Sequence, residues 1–380
     1  MLHSLYYLYR HRENVWKSRV ELEEIQNEKL RMLVKHAYQN VRFYREAFDK
    51  RGIKPEDIKT AGDIIKLPIV KKTDVQHRAE DFIAKNYDIR KCKKACTSGS
   101  TGIPLTVFID SRGEFLDKAV NLRAMMENGM KFTDRFMEIT NPENFVKKAW
   151  YQMAGIFRKE RLSVYDSVET NVKRFMEYAP DIFVGYPSIF ILMANYITQN
   201  NFKIKPPKKI FTTAEVLFDA DRAKIKTVFD CDVIDMYGCT ELRRLAWECS
   251  MHEGYHTDID CAVVENVKDD ILDTEDGNIV VTGLHNYAMP LIRYQTGDIA
   301  RSSQHVCSCG RGFPLIKHIK GRTDDMVILP SGKIISPRCI NILDYIEGID
   351  RYRIIQDEKG RFLVQIEKNK QFSEKTGDKI

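Results

Sequence analysis

Between positions 105 and 282, short β-rich runs alternate with helical patterns, and this alternation restricts the chain more than any single motif. The runs are Leu105 to Ile109, Ile182 to Val184, Ile210 to Thr213, Val233 to Tyr237 and Ile279 to Thr282. Gly113 to Asn128 and Ser188 to Thr198 lie between some of them with helical spacing. Strands alternating with helices predict a layered α/β fold. Leu22, Ile25, Leu33, Val34, Ala37 and Val41 also recur at helical spacing, so roughly the first fifty residues are predicted mainly helical. Gly52 to Pro55 breaks that region, and Leu67 to Val70 begins an extended segment. The most apolar stretch, Ile182 to Ile197, is interrupted by Gly185, Pro187 and Ser188. It predicts a buried strand, a turn and a helix with Ser188 as N-cap, rather than a membrane span.

After Gly321 the texture changes. Met326 to Leu329 and Lys333 to Ile335 flank Pro330-Ser331-Gly332, and Arg351 to Gln356 and Arg361 to Ile366 flank Asp357 to Gly360. Two hairpins in succession predict a small α+β unit. A chain of 380 residues exceeds one ordinary domain. The expected division is a large domain over 1–321 and a small one over 322–380.

Composition removes several function classes. Hydrophobic content of 43% and charged content of 30% suit a soluble globular protein. The net charge of +6 is scattered along the chain, which favours a solvated surface over nucleic-acid binding. Nine cysteines at irregular spacing do not form a disulfide framework and predict a reducing cytoplasm with some metal-binding thiols. The opening MLHSLYYLYRHRENVW puts its charges after the apolar stretch, unlike a secretory signal. It reads as an amphipathic helix docked on the domain. The oligomeric state stays open, a homodimer being one option.

Thr97-Ser98-Gly99-Ser100-Thr101-Gly102 packs four hydroxyls and two glycines into six residues. Glycines let backbone N–H groups approach an anion, and hydroxyls add donors. The Gly-Lys-Ser/Thr ending of a Walker A loop is missing. Further on come Thr213-Ala214-Glu215, Tyr237-Gly238-Cys239-Thr240-Glu241, Tyr294-Gln295-Thr296-Gly297-Asp298 and Gly321-Arg322-Thr323-Asp324-Asp325. With these five motifs in order, the chain resembles the adenylate-forming superfamily of acyl-CoA synthetases. It is most similar to the phenylacetate–CoA ligase branch, which includes members associated with capsular polysaccharide. The resemblance runs from about Leu22 to about Ile366.

That resemblance implies a function: ATP-dependent activation of a carboxylic acid to an acyl-adenylate, then transfer to a thiol, with coenzyme A the first choice. It assigns Ser98, Gly99, Ser100, Thr101 and Gly102 to the β- and γ-phosphates of ATP. Ala214 and Glu215 border adenine, and Tyr237 stacks on it. Thr240 meets the α-phosphate, Glu241 holds Mg²⁺, Asp298 takes the ribose hydroxyls, and Arg322 contacts the ribose–phosphate region. Asp324 or Asp325 is the expected hinge. The Pro-Lys that follows the loop in many relatives is Pro104-Leu105 here, as the phenylacetate branch allows. Both reactants are anions, so charge neutralisation and alignment are what such a site must supply.

Three thiols and an imidazole can hold zinc in a closed tetrahedral site. Cys307-Ser308-Cys309 forms a knuckle, and Cys249 and two histidines lie upstream. The resemblance selects His256 over His252, giving a structural zinc on Cys249, His256, Cys307 and Cys309. The other thiols read as buried side chains, apart from Cys239 inside the nucleotide motif. Tyr186, Phe136 and Trp150 are candidate walls of an acyl pocket. Relatives continue beyond the second hairpin to a lysine loop, so the small domain is expected to be incomplete and Lys379 not catalytic. Two other readings remain open: transfer to a carrier protein or sugar in polysaccharide biosynthesis, and a non-catalytic nucleotide-binding homologue.

Overall fold

The computed structural model describes residues 2–97, 105–142, 145, 152, 155–268, 271–272, 276–322, 327–328, 334–335, 349–358, 360–368 and 372. It divides into two compact units, one of Met1–Thr296 with Ala300–Ile319, the other of Gly297–Ile299 with Lys320–Ile380. No described helix is long and apolar enough to cross a membrane.

The N-terminal part is helical: α1 (Leu2–Arg12), α2 (Arg19–Asn40), α3 (Arg42–Arg51) and α4 (Lys72–His77). A capping box starts α2, in which the Ser18 hydroxyl accepts from the Glu21 amide and the Glu21 carboxylate accepts from the Ser18 amide. Its buried residues Leu22, Gln26, Leu30, Leu33, Val34 and Ala37 recur every three or four positions, the stripe that ties it to the core. Gly52, at φ 63°, ends α3 in the left-handed conformation that glycine adopts cheaply.

Next come β1 (Lys93–Cys96), β2 (Thr106–Ile109) and α5 (Ser111–Glu127). Asp110 caps α5 by accepting from the Gly113 amide at 2.8 Å. The α/β layer follows: β3 (Phe136–Thr140), β4 (Lys159–Ser163), α6 (Val168–Tyr178), β5 (Ile182–Gly185), α7 (Pro187–Gln199), β6 (Lys209–Thr213), α8 (Asp219–Phe229) and β7 (Asp232–Cys239). Then run β8 (Arg243–Glu248), β9 (Tyr255–Thr257), β10 (Ala262–Lys268), β11 (Ile271–Leu272), β12 (Gly277–Gly283), β13 (Tyr294–Ser302) and β14 (Leu315–Arg322).

Among the described residues these form one sheet in the order β11-β10-β12-β13-β14-β9-β8-β7-β6-β5-β3-β4. The five strands β7, β6, β5, β3 and β4 are mutually parallel, and β7 to β8 turns antiparallel. The fold is therefore mixed α/β, as the alternation predicted. Phe175, Phe183, Phe190 and Phe229 from α6, β5, α7 and α8 pack as one fully buried aromatic cluster. Burying such a ring is worth about 1.5–3 kcal/mol. In the second unit, β15 (Val327–Ile328) pairs with β16 (Ile334–Ile335) and β17 (Ile349–Glu358) with β18 (Arg361–Lys368), each antiparallel.

Two readings need correction. Ser188 does not cap α7, because Pro187 occupies its first turn and Tyr186 is the N-cap residue. A proline at that position lacks only an amide that would be unpaired anyway. Cys96 is exposed rather than buried.

Candidate active site

Parallel strands present their carboxyl ends on one edge, where open α/β sheets bind ligands. That edge carries Thr140 after β3, Gly185-Tyr186 after β5, Thr213-Ala214-Glu215 at β6 and Thr240-Glu241 after β7. The sheet thus brings together residues that sequence separates by up to a hundred positions. Ala214 sits at φ 68°, a left-handed conformation uncommon for alanine. Glu215 accepts from both the amide and the hydroxyl of Ser188, at 2.9 and 2.8 Å. This bond is the actual role of Ser188 and ties the turn after β5 to the motif after β6.

Two residues of β13 reach the same loops. The Tyr294 hydroxyl, 1% exposed, donates to the Glu241 carboxylate at 2.8 Å. The Tyr237 hydroxyl lies 3.4 Å from that of Thr296. Sequence reasoning quoted Tyr294 and Thr296 only as neighbours of Asp298, because their partners lie over fifty positions away. Asp298 itself is on β13, and Arg322 ends β14; both fall in the second unit. Ser98, Gly99, Ser100, Thr101 and Gly102, Asp324, Asp325, Trp150, Cys339 and Lys379 lie outside the described residues.

Phe136 is no pocket wall. It begins β3, at the end of the strand remote from Thr140, and is buried against Phe157 with ring centroids 5.8 Å apart. Tyr186 does lie on the ligand edge, half-buried, and burial raises its hydroxyl pKa against an opposing bond from Thr140.

A second cluster lies at β8, β9 and the loop before β14. One ligand atom each from Cys249, His256, Cys307 and Cys309 falls within 4.8 Å of all the others. Cys249 Sγ and Cys307 Sγ are 3.6 Å apart, and Cys309 Sγ is 3.4 Å from His256 Nε2. Tetrahedral zinc with ~2.3 Å Zn–S bonds separates its sulfurs by about 3.8 Å, so the four groups fit such an ion. His256 Nδ1 faces the Phe313 carbonyl at 3.3 Å, which leaves Nε2 free to present its lone pair. Burial lowers its pKa to about 4, so the ring is neutral at pH 7. Burial pushes the Cys309 thiol up, but the Arg311 amide and guanidinium outweigh this and hold it below the usual thiol value. His252 is turned away, with Nε2 2.9 Å from Asp232.

No family model matches the chain. It is 26% identical over 332 residues to phenylacetate–coenzyme A ligase of Aromatoleum evansii, covering 82% of this chain and 73% of that protein. It is 26% identical over 323 residues to protein CapK of Staphylococcus aureus, covering 81% and 69%. It is also 24% identical over 357 residues to phenylacetate–coenzyme A ligase of Thermus thermophilus, covering 90% and 80%. Among solved structures, 2-hydroxyisobutyryl-CoA ligase with 2-HIB-AMP in its postadenylation state superposes with a TM-score of 0.75 at 19% identity, over 94% of this chain and 80% of that one. An open conformation of the same ligase with 2-HIB-AMP and CoA gives 0.69 at 19% identity, over 93% and 81%.

Proposed function

Starting from the fact that this chain is an acyl-CoA-ligase-like, adenylate-forming enzyme of the phenylacetate–CoA ligase branch, we propose that it activates a carboxylic acid with ATP and passes the acyl group to coenzyme A. The observation that carries this reading is the shared strand-end edge: Ala214, Glu215, Tyr237, Thr240 and Glu241 come together there from two adjacent parallel strands, β6 and β7, and their turns.

In the first half-reaction a substrate carboxylate oxygen attacks the α-phosphorus of ATP, and the bond to pyrophosphate breaks. Thr240 donates its hydroxyl to an α-phosphate oxygen. Glu241, whose carboxylate accepts from the Tyr294 hydroxyl, would hold Mg²⁺, which would offset the charge of the phosphates. Tyr237 stacks on adenine beside Ala214 and Glu215. Ser98, Gly99, Ser100, Thr101 and Gly102 hold the β- and γ-phosphates, Asp298 the ribose hydroxyls, and Arg322 the ribose–phosphate link, all assigned from motif resemblance. In the second half-reaction the coenzyme A thiolate attacks the acyl carbon and AMP leaves.

Cys249, His256, Cys307 and Cys309 would hold a structural zinc. Closed coordination leaves no position for substrate, so the ion would cross-link the fold rather than act on the acid.

Exchange of labelled pyrophosphate into ATP, with Mg²⁺ and a panel of aromatic, fatty, amino and hydroxy acids, tests the first step. Exchange with at least one acid is expected. AMP release on adding coenzyme A, compared with a carrier protein or a sugar, tests the acceptor. No exchange with any acid would overturn adenylation, and release by a sugar alone would overturn coenzyme A as acceptor.

A further inference from the structure

The pocket beside Glu241 is lined in part by Ile109, Gly283 and Met289, and by three groups that the reading above leaves unused: Asp117, Arg243 and His285. Asp117, on α5, takes His285 Nε2 at 2.8 Å on one oxygen, and Arg243 Nε lies 3.6 Å from the other. His285 Nδ1 faces the Cys261 carbonyl at 3.3 Å. Asp117 therefore receives His285 on one oxygen and Arg243 on the other, and, against the opposing effect of burial, its hydrogen bond favours the protonated His285 ring.

The backbone adds an independent observation. Three residues, Thr240, Glu241 and Leu242, connect β7 to β8, and Cys239 pairs with Arg243 across the turn. Arg243, the first residue of β8, sits at φ 62°, a left-handed conformation that glycine adopts cheaply and a long side chain does not. The Arg243 backbone packs directly on Gly238, where a Cβ would collide with the Arg243 carbonyl. The Arg243 side chain reaches Asp117.

We infer that Asp117 and His285 hold Arg243 as a positioning residue, which fixes the Thr240–Glu241 turn in the orientation that receives Mg²⁺-bound ATP. Tyr294 holds the Glu241 carboxylate itself. The inference rests on the reading of Glu241 as the Mg²⁺ ligand.

Calorimetric ATP binding in Mg²⁺ and in EDTA tests it, alongside melting temperature. Arg243→Gly relieves the backbone, so its melting temperature should match or exceed wild type. Its Mg²⁺-dependent gain in ATP affinity should fall about tenfold or more, the scale of one hydrogen bond to a charged group. Asp117→Asn should lose the same gain, the double variant no more than either single variant, and Arg243→Lys less than Arg243→Gly. A wild-type gain in Arg243→Gly would overturn the inference, as would fully additive losses in the double variant. Wild-type protein that binds no ATP even in Mg²⁺ would overturn the adenylation reading itself, and this inference with it.

Discussion

Glu241 and Asp298 carry the assignments that are easiest to break one atom at a time. Replacing a carboxylate with an amide keeps its shape but removes the charge, and truncating a hydrogen-bonded charged partner typically costs about 2–5 kcal/mol. Glu241→Gln and Asp298→Ala should therefore lower pyrophosphate exchange roughly tens- to thousands-fold with unchanged circular dichroism. Wild-type exchange in both variants would remove the nucleotide assignment. Asp235 offers a test in stability rather than rate. Burial raises its pKa from 3.8 to about 6, against bonds donated by the Thr212 and Tyr255 hydroxyls. The folded state then holds this proton more tightly than the unfolded chain. Its contribution to stability is greatest below pH 4 and is lost as pH rises toward 6, by about 1–3 kcal/mol. Denaturation midpoints should show wild type losing stability relative to Asp235→Asn as pH rises from 4 to 7; parallel profiles would refute the assignment. Neither the bonds of Asp235 nor those of Arg123 could be read from the chain. Arg123 is wholly buried and paired with Asp258 and Asp260 at 2.7 Å, over a hundred positions away.

At the scale of elements, the thiol cluster does more than occupy a loop. Its residues join β8, β9 and the segment before β14, and the Gly312 amide donates to the Val15 carbonyl at 2.9 Å. A Cβ at Gly312 would collide with the Lys17 carbonyl, so the knuckle packs directly on the turn between α1 and α2. Metal analysis of protein purified without added zinc should find one ion per chain. Chelation or Cys309→Ser should lower the melting temperature, because structural metal binding is coupled to folding. Metal-free protein with unchanged melting would refute it. The cluster was legible because thiols are rare and two stand one residue apart. The cap of α7 was not, since Ser188 and the Tyr186–Pro187 pair are both plausible helix starts by local chemistry. Glu215 decides between them, and it belongs to another strand.

For the whole molecule, the residues assigned to the nucleotide fall in both units, Asp298 and Arg322 in the smaller one. Ala214, Glu215, Tyr237, Thr240 and Glu241 all belong to the larger unit. Lys379 is not among the residues assigned to the nucleotide, so Lys379→Ala should leave calorimetric ATP binding intact and pyrophosphate exchange unchanged, whereas lost exchange would make Lys379 the catalytic lysine. What the sequence determined by itself was the layered α/β class, the order of the five motifs and the three thiols of the cluster, while the choice of His256 over His252 came from the family resemblance. These depend on local periodicity, on turn chemistry and on residue types that recur in a fixed order. Which side chains meet depended on the tertiary structure alone. Phe136 and Tyr186 are both aromatic, but strand direction sends one to the buried end of β3 and the other to the ligand edge. Asp117, Arg243 and His285 are polar residues without a motif, and they become neighbours only because α5, the β7–β8 turn and the end of β12 pack together. Sheet order and the burial of charge are properties of contacts between distant segments, and no local window of the chain contains them.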